Sequence, residues 1–590
     1  MRAGHQVKTR SESLKEGFVV RKYLVLVSLV LLLLAGSTFA FTEFHGAGNW
    51  VVPPAFQGNP WAPRAEWSIA WYVWEPLMYY IPASQKFVPC LATSMDVDAN
   101  ARTITAHLRK GVVWQDGIKF TSKDVLATFY LGYLKHWSVW NYLDSIKAPD
   151  DYTVVFHFKE LTALSKIMLC QDRVKSSEAI YGKWADQVPA IIARGGDEAL
   201  ESKIYSDLCS YRPPIPVGTG PFKLKSVSAD TMILDKFQNY WAADKVKIDR
   251  IRIYRWTSNE VVWTYVIAGA IDAAHPAASR DVVAAALKTN PHMKYYLPSD
   301  LGEFVILFNC KKPPMSDVNF RKAVAYAVNA DLVRKISLYF AQTAGDYTTG
   351  IIKSFRDVYL SKDFLKTLTN YTYNPKKAEE ILLKAGYTKG ADGYWRMPNG
   401  KPISLEYINH QGYSDWILGG ESIVTQLKKF GIKVEQRIVV GALYGDTIRG
   451  GKFDMAAEFG PVFWGYGSPW RAYNRLYAYK PGTTTGEYLK EASGVPDVIE
   501  GINTVKLTDE LFKAMDLATQ KAIIEKLAHA TNEYLPYYSI YEKRLGIFLN
   551  DGERVTGWPP KTDPIWSAAS GGIERVYKIL MQEGILHGVK

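Results

Sequence analysis

One thirty-residue stretch, residues 307–336 (LFNCKKPPMSDVNFRKAVAYAVNADLVRKI), constrains the fold more than any other part of the 590-residue chain. Residues 305–308, which lead into it, are an apolar run of strand length. Pro313 and Pro314 end any pairing there, because proline has no N–H to give to a ladder. Ser316 or Asp317 can cap the helix that follows. Phe320, Ala323, Val324, Ala327 and Val328 then recur at i, i+3, i+4, i+7 and mark one buried stripe. Asn329 closes this helix and caps a second, whose apolar residues are Leu332, Val333 and Ile336. A buried strand feeding two helices is a unit of an α/β core.

The same punctuation recurs along the chain. Asn374-Pro375 opens a helix that Gly386 ends, with proline at the first helical position and glycine at the left-handed C-terminal one. Its stripe is Ala378, Ile381, Leu382 and Ala385. Asp392-Gly393 and Asn399-Gly400 read as hairpin turns. A strand over 405–408, a helix over 420–430 stopped by Gly431 and a strand from Ile432 make a parallel βαβ unit. Nearer the N-terminus, residues 103–108 alternate as a strand, Asp116-Gly117 is a turn, and Thr121 caps a helix carrying Val125, Phe129 and Leu131. Residues 176–211 are polar and helical. Asp96-x-Asp98-x-Asn100 has the opening spacing of a calcium loop. It lacks glycine at the sixth place and glutamate at the twelfth, where His107 stands, so it reads as a polar hairpin turn.

The order of these motifs resembles that of the family 5, cluster C substrate-binding proteins of ABC importers (peptide, nickel and oligosaccharide type). Phe308-Asn309, Pro313-Pro314, Asp317 and Arg321 match the family's FN…PP…D…R segment. Trp74-Glu75-Pro76-Leu77 is similar to its YEPL element. Leu108, Gly111, Trp114, Asp116-Gly117, Phe120-Thr121 and Asp124 match a third block, and Gly218-Thr219-Gly220-Pro221-Phe222 with Asn239-Tyr240-Trp241 a fourth. Gly269 with Ile271-Asp272, the helix from Pro375 to Tyr387, Phe453-Asp454-Met455-Ala456 and Leu535-Pro536 follow in the family's order. The likeness covers most of residues 70–545. It implies an α/β fold, bilobal and periplasmic-binding-protein-like (type II, cluster C), with an additional inserted domain. Lobe I is expected over 41–85, 210–300 and 545–590, the inserted domain over 86–209 and lobe II over 301–544, with segments near 303–308 and 539–544 crossing between lobes. The implied function is an extracytoplasmic receptor, monomeric and not an enzyme, with no cofactor or metal. Its partners would be a captured small molecule and the permease and ATPase subunits of an importer.

Composition agrees with a soluble globular body, at 47% hydrophobic and 22% charged residues. The formal charge of +12 comes without a long basic run, so nucleic acid is not an expected partner. Residues 1–40 read as a signal peptide: Arg21 and Lys22, an apolar core over 23–35 that is shorter than the roughly 20 residues of a spanning helix, and Thr38-Phe39-Ala40 as a cleavage site. The mature chain would start at Phe41 and work in the periplasm or on the outer cell surface, with an uncleaved anchor as the alternative. Ser37 stands where a lipoprotein signal places cysteine. Export permits disulfides, and of Cys90, Cys170, Cys209 and Cys310 the candidate pair is Cys170 with Cys209. There is no G-x-S-x-G and no H-E-x-x-H. No motif marks the paired carboxylates of a glycoside hydrolase, which remains the third reading.

Ligands of open α/β sheets sit outside the carboxyl ends of strands. Two loops start at such ends. Residues 409–419 hold His410, Gln411, Tyr413, Asp415 and Trp416, and residues 460–470 (GPVFWGYGSPW) hold Phe463, Trp464, Tyr466 and Trp470. Rings among that many glycines are expected to project rather than pack. Trp71 and Trp74 precede the presumed cleft from lobe I and read either as core or as cleft faces, and the family segment adds Asn309. The family's peptide binders carry an aspartate in the second loop that pairs with the peptide α-ammonium. Here no acid occurs between Phe459 and Leu476. Burying an ammonium without a counter-charge is costly. Indole faces flanked by amides and hydroxyls suit a pyranose instead. The expected ligand is therefore an oligosaccharide, with an oligopeptide as the alternative. The candidate ligand-binding residues are Trp464, Trp470, Tyr466, Trp416, Gln411, Tyr413, Trp74, Trp71 and Asn309.

Overall fold

A computed structural model describes residues 41–62, 67–478, 489–570 and 572–589, and the expected signal peptide lies outside them. Three larger sheets carry the architecture. The first has seven strands, in the order Phe222–Val227, Thr231–Lys236, Arg250–Arg255, Glu43–Gly48, Ala273–Ala274, Ile547–Asn550 and Met293–Tyr296. The second has six: Gln342–Thr343, Tyr537–Arg544, Ser299–Phe308, Met455–Val462, Leu405–His410 and Val434–Val439. The third is an antiparallel set of four, Ala92–Asp98, Thr103–Leu108, Thr153–Phe158 and Leu143–Asp150. The helix Ser122–Leu134 packs on this third sheet, and Asp124 fastens its start by accepting from the Thr121 N–H at 2.7 Å.

The opening stretch folds as its pattern dictates. Ser299–Phe308 lies between two antiparallel neighbours and is buried from Asp300 onward, because both sheet faces are covered. Asp317, rather than Ser316, caps the helix Val318–Ala327 by accepting from Asn319 N–H. The stripe Phe320, Ala323, Val324, Ala327 and Val328 is wholly buried. Asn329 caps Ala330–Ser337. In that second helix only Val333 is buried, and Leu332 and Ile336 face solvent. The helix packs one face on Ser414–Phe430 and on the sheet, which leaves its other side open. The βαβ unit is present: Leu405–His410 runs parallel to Val434–Val439 and to Met455–Val462, and Leu307 and Leu405 share one sheet.

The chain passes from the seven-stranded to the six-stranded sheet at residues 297–298 and returns at 545–546. The segments 303–308 and 539–544, expected to cross, instead lie inside the six-stranded sheet. The two passages run side by side: Leu545 N–H donates to the Pro298 carbonyl at 3.0 Å, and the Arg544 guanidinium donates to the Leu297 carbonyl at 3.3 Å.

The expected Cys170–Cys209 disulfide is absent, and all four cysteines are free thiols. Cys170 is buried against the Met95 sulfur at 3.8 Å, whereas the Cys209 thiol sits on the Trp61 carbonyl at 3.5 Å. Both presumed loops are also shorter than expected. The strand runs to His410 and the helix starts at Ser414, leaving residues 411–413. The other strand runs to Val462 and a short helix starts at Pro469, leaving residues 463–468.

Candidate functional site

At both short loops the chain meets segments outside the six-stranded sheet. Asn259, in the helix Asn259–Ile267, donates from Nδ2 to Ser414 Oγ at 2.9 Å. Gln171 donates from Nε2 to the Gly465 carbonyl at 2.9 Å. The left-handed backbone at the contact favours glycine. At Gly465, with φ +72°, a Cβ would lie 2.1 Å from Gln171 Oε1. The loop 463–468 thus lies against the far side with backbone alone.

Inside this contact is an aromatic wall. Phe459, within Met455–Val462, has Trp416 at 5.1 Å and Trp464 at 4.8 Å between ring centroids, both edge-on. Trp416 also meets Tyr413 at 5.2 Å and Phe304 at 5.5 Å. Tyr413 stacks on His410 at 4.0 Å. Burial pushes the Tyr413 phenol up to about 12, yet 39% of its surface is accessible. The indole N–H groups of Trp416 and Trp464 are buried there without a hydrogen-bond partner. The indole N–H groups of the core residues Trp114, Trp137 and Trp470 are likewise buried without a partner, so what sets Trp416 and Trp464 apart is their place on either side of Phe459.

Charged groups gather next to this wall. Asp415, in the first turn of Ser414–Phe430, is only 4% exposed, and its Oδ2 has no hydrogen-bond partner. Burial raises its pKa against the pull of Lys543. Asp300, just past the first passage, is pushed up to about 7 by burial, again opposed by Lys543. His275 is held down to about 4 by burial and then by Lys543, so it is neutral at pH 7. The Lys543 ammonium itself lies 5.0 Å from the Phe459 ring centroid.

The other end of the 463–468 loop meets a second group. Tyr466 is raised to about 12 by burial, with the Arg471 guanidinium 5.5 Å from its ring. Beyond it, burial raises Asp172 although Lys175, Arg173, Lys135 and Arg471 all act to lower it, and burial lowers Lys175 to about 7.

Of the residues singled out from sequence, Trp416, Tyr413 and Trp464 converge on Phe459, with Tyr466 along the same loop. Gln411 is at the same turn but exposed, its backbone N–H tied to the Val439 carbonyl. Four others are placed elsewhere. Trp470 starts the helix Pro469–Tyr473 and is core, 1% exposed and packed on Phe512 at 5.0 Å and Tyr466 at 5.4 Å. Trp74 is core, with its indole N–H on the Val217 carbonyl at 2.9 Å. Trp71 is buried beneath the guanidinium of Arg173, 4.3 Å from its ring. Asn309 is fully buried and joins the carbonyls of Gly451 and Phe453 through Nδ2, a structural clamp. Sequence reasoning missed Phe459, Asp300, His275 and Lys543. Phe459 carried a weak signal, as the last aromatic before the glycine-rich loop. The other three come from distant segments and carried none.

Residues 86–486 match the family described as bacterial extracellular solute-binding proteins, family 5 Middle. A Brucella ovis protein named for ABC-transporter peptide binding is 26% identical over 481 residues, 76% of this chain and 79% of its own length. Among solved structures, the mannohexaose-bound periplasmic oligopeptide-binding protein of Thermotoga maritima superposes with a TM-score of 0.76 at 23% identity, covering 94% of this chain and 99% of that one. The oligopeptide-binding protein of Bacillus subtilis, in complex with a nonapeptide, gives a TM-score of 0.72 at 18% identity, covering 93% and 100%.

Proposed function

Because this chain belongs to the bacterial extracellular solute-binding proteins of family 5, we propose that it is the ligand-capturing receptor of an ABC importer and that its ligand is an oligosaccharide. The family is a non-enzymatic transport component. The observation that carries the ligand reading is the pair of buried, unpartnered indole N–H groups of Trp416 and Trp464 on either side of Phe459. The axial C–H face of a pyranose stacks on rings, and its hydroxyl oxygens accept from such donors. One solved relative in fold holds mannohexaose.

In this reading residues 41–85, 210–300 and 545–590 form lobe I, 86–209 an inserted domain and 301–544 lobe II. The lobes close about the paired passages at 297–298 and 545–546. Periplasmic binding proteins close by hinge motion, and a ligand shifts the population only as far as it contacts both sides. Cleavage after Ala40 releases the receptor outside the cytoplasmic membrane, which N-terminal sequencing of the exported protein checks.

Relatives named for peptides favour a second reading, an oligopeptide, and Asp415 Oδ2 supplies the acid that the 460–470 segment lacks. One thermal-shift screen separates the two. A ligand that binds only the folded state at a hundred times its Kd adds about 2.7 kcal/mol of stability. The oligosaccharide reading expects shifts with oligosaccharides and none with di- to pentapeptides; the reverse pattern refutes it. Small-angle scattering with the best ligand should show a smaller radius of gyration, and an unchanged one counts against closure.

A further inference from the structure

We infer that Tyr142 and Phe512, with the ion pair of Glu160 and Lys513 at their rim, are positioning residues for ligand capture: they hold the two sides of the cleft together by a contact of their own. This rests on the reading of the cleft as one that closes about the paired passages. The two rings come from opposite sides. Tyr142 ends the short 3-10 helix Ser138–Asn141 and leads into the four-stranded sheet. Its carbonyl accepts from the Lys159 N–H at 2.9 Å, which sets Glu160 beside it. Phe512 lies in the helix Thr504–Lys513. That helix packs on Leu517–Tyr534, which leads into the strand Tyr537–Arg544 of the six-stranded sheet.

The pattern on Thr504–Lys513 singles the contact out. Thr504, Thr508 and Leu511 recur at i, i+4, i+7 and are buried, the one stripe that packing on a single body requires. Asp509, Phe512 and Lys513, at i, i+3, i+4, make a second face. That face meets the four-stranded sheet. The rings of Phe512 and Tyr142 stack with 3.7 Å between centroids and 19° between planes, and Trp470 backs Phe512 from its own side at 5.0 Å. Lys513 Nζ lies 3.0 Å from Glu160 Oε2 across the boundary and 3.0 Å from Asp509 on its own helix. The ion pair is open to solvent, and such pairs contribute little. The stack carries more weight. Tyr142 is 9% exposed and Phe512 1%, so neither ring has a face left for a ligand. Parting the two sides would separate the rings and wet both, so the stack favours the closed arrangement. A receptor whose competent form is partly populated binds with an affinity reduced by that fraction. A contact that favours closure therefore tightens the grip on whatever the cleft takes.

Small-angle scattering of the mature chain without ligand would compare the unaltered protein with Phe512→Ala and with Glu160→Lys. Both variants should show a larger radius of gyration, Phe512→Ala the larger of the two. Each sample is then titrated with mannohexaose and with trialanine as probes. A probe that compacts the unaltered protein should compact Phe512→Ala to the same radius at roughly tenfold higher concentration, the loss expected for one buried aromatic pair. Equal unliganded radii in all three overturn the inference and make the stack permanent core packing, whatever the melting temperatures do. An equal midpoint for a probe in the unaltered protein and in Phe512→Ala overturns it as well. Glu160→Lys changes an exposed side chain, so the unliganded comparison survives if Phe512→Ala does not fold. If the variants are more extended and neither probe compacts the unaltered protein, the inference stands and ligand-driven closure falls. If a probe compacts all three alike from the same starting radius, closure stands and the inference falls.

Discussion

Trp464 and Trp470 stand six residues apart, one in the loop 463–468 and the other in the helix Pro469–Tyr473, and should separate binding from stability. Trp464 is half-buried, has Phe459 at 4.8 Å and carries an indole N–H without a partner. Replacing it by alanine removes a stacking face and a donor from the cleft while taking little from the core. Loss of partial aromatic burial costs about 1.5 kcal/mol, or roughly tenfold in affinity. Trp470 is fully buried on Phe512 and Tyr466. Its truncation leaves a cavity and costs about 3–5 kcal/mol. At roughly 2–4 °C per kcal/mol for a unit of 150–250 residues, the melting temperature should fall on the order of ten degrees, with the affinity of the surviving folded protein little changed. Titration calorimetry against the ligand found by the screen, paired with scanning calorimetry, measures both quantities. The reasoning is refuted if Trp464→Ala melts as early as Trp470→Ala, or if Trp470→Ala is the one that loses affinity.

Three further outcomes follow from the structure. Asp300 has a folded pKa of about 7, above its unfolded value, so the folded state holds the extra proton and its contribution to stability falls as pH rises between about 4 and 7. Asp300→Asn should therefore gain stability over the unaltered protein at pH 8 by on the order of a few kcal/mol, with the gain fading toward pH 4 in urea unfolding; a pH-independent difference would contradict this. Gly465→Ala places a Cβ on a left-handed φ of +72° and displaces the Gln171 amide from the Gly465 carbonyl, so it should cost about 1–3 kcal/mol of stability in urea unfolding; an unchanged stability would count against it. Lys578 pairs with Glu75 at 2.6 Å in the core, both fully buried. Lys578→Met should cost about 3–5 kcal/mol by leaving a lone buried charge, and adding Glu75→Gln should recover part of it, which chemical denaturation of the single and double variants would show.

The local elements were legible because each is set by residues close in sequence. The caps at Asn329 and Asn374, the left-handed Gly386 and Gly431, and the buried stripe from Phe320 to Val328 are one- or two-turn decisions of backbone sterics and periodicity, and all are found as read. The order of motifs likewise carried the family. Where reading failed, the failure was one of facing. Trp470 and Trp464 share the same glycine-rich run, but the helix beginning at Pro469 turns one ring into the core while the turn before it leaves the other at the cleft.

The sequence by itself determined the α/β class, the βαβ unit, the helix caps at Asn329 and Asn374 and the kinship, because these depend on spacing along the chain. Only the tertiary structure decided the site. Asp300, His275, Asp415 and Lys543 come from segments as far as 268 positions apart, and meet only because the two passages return the chain beside itself at Pro298 and Leu545. The altered proton affinities of Asp300, His275 and Asp415 and the orphaned Asp415 oxygen follow from desolvation by neighbours, a property that no single stretch of sequence holds.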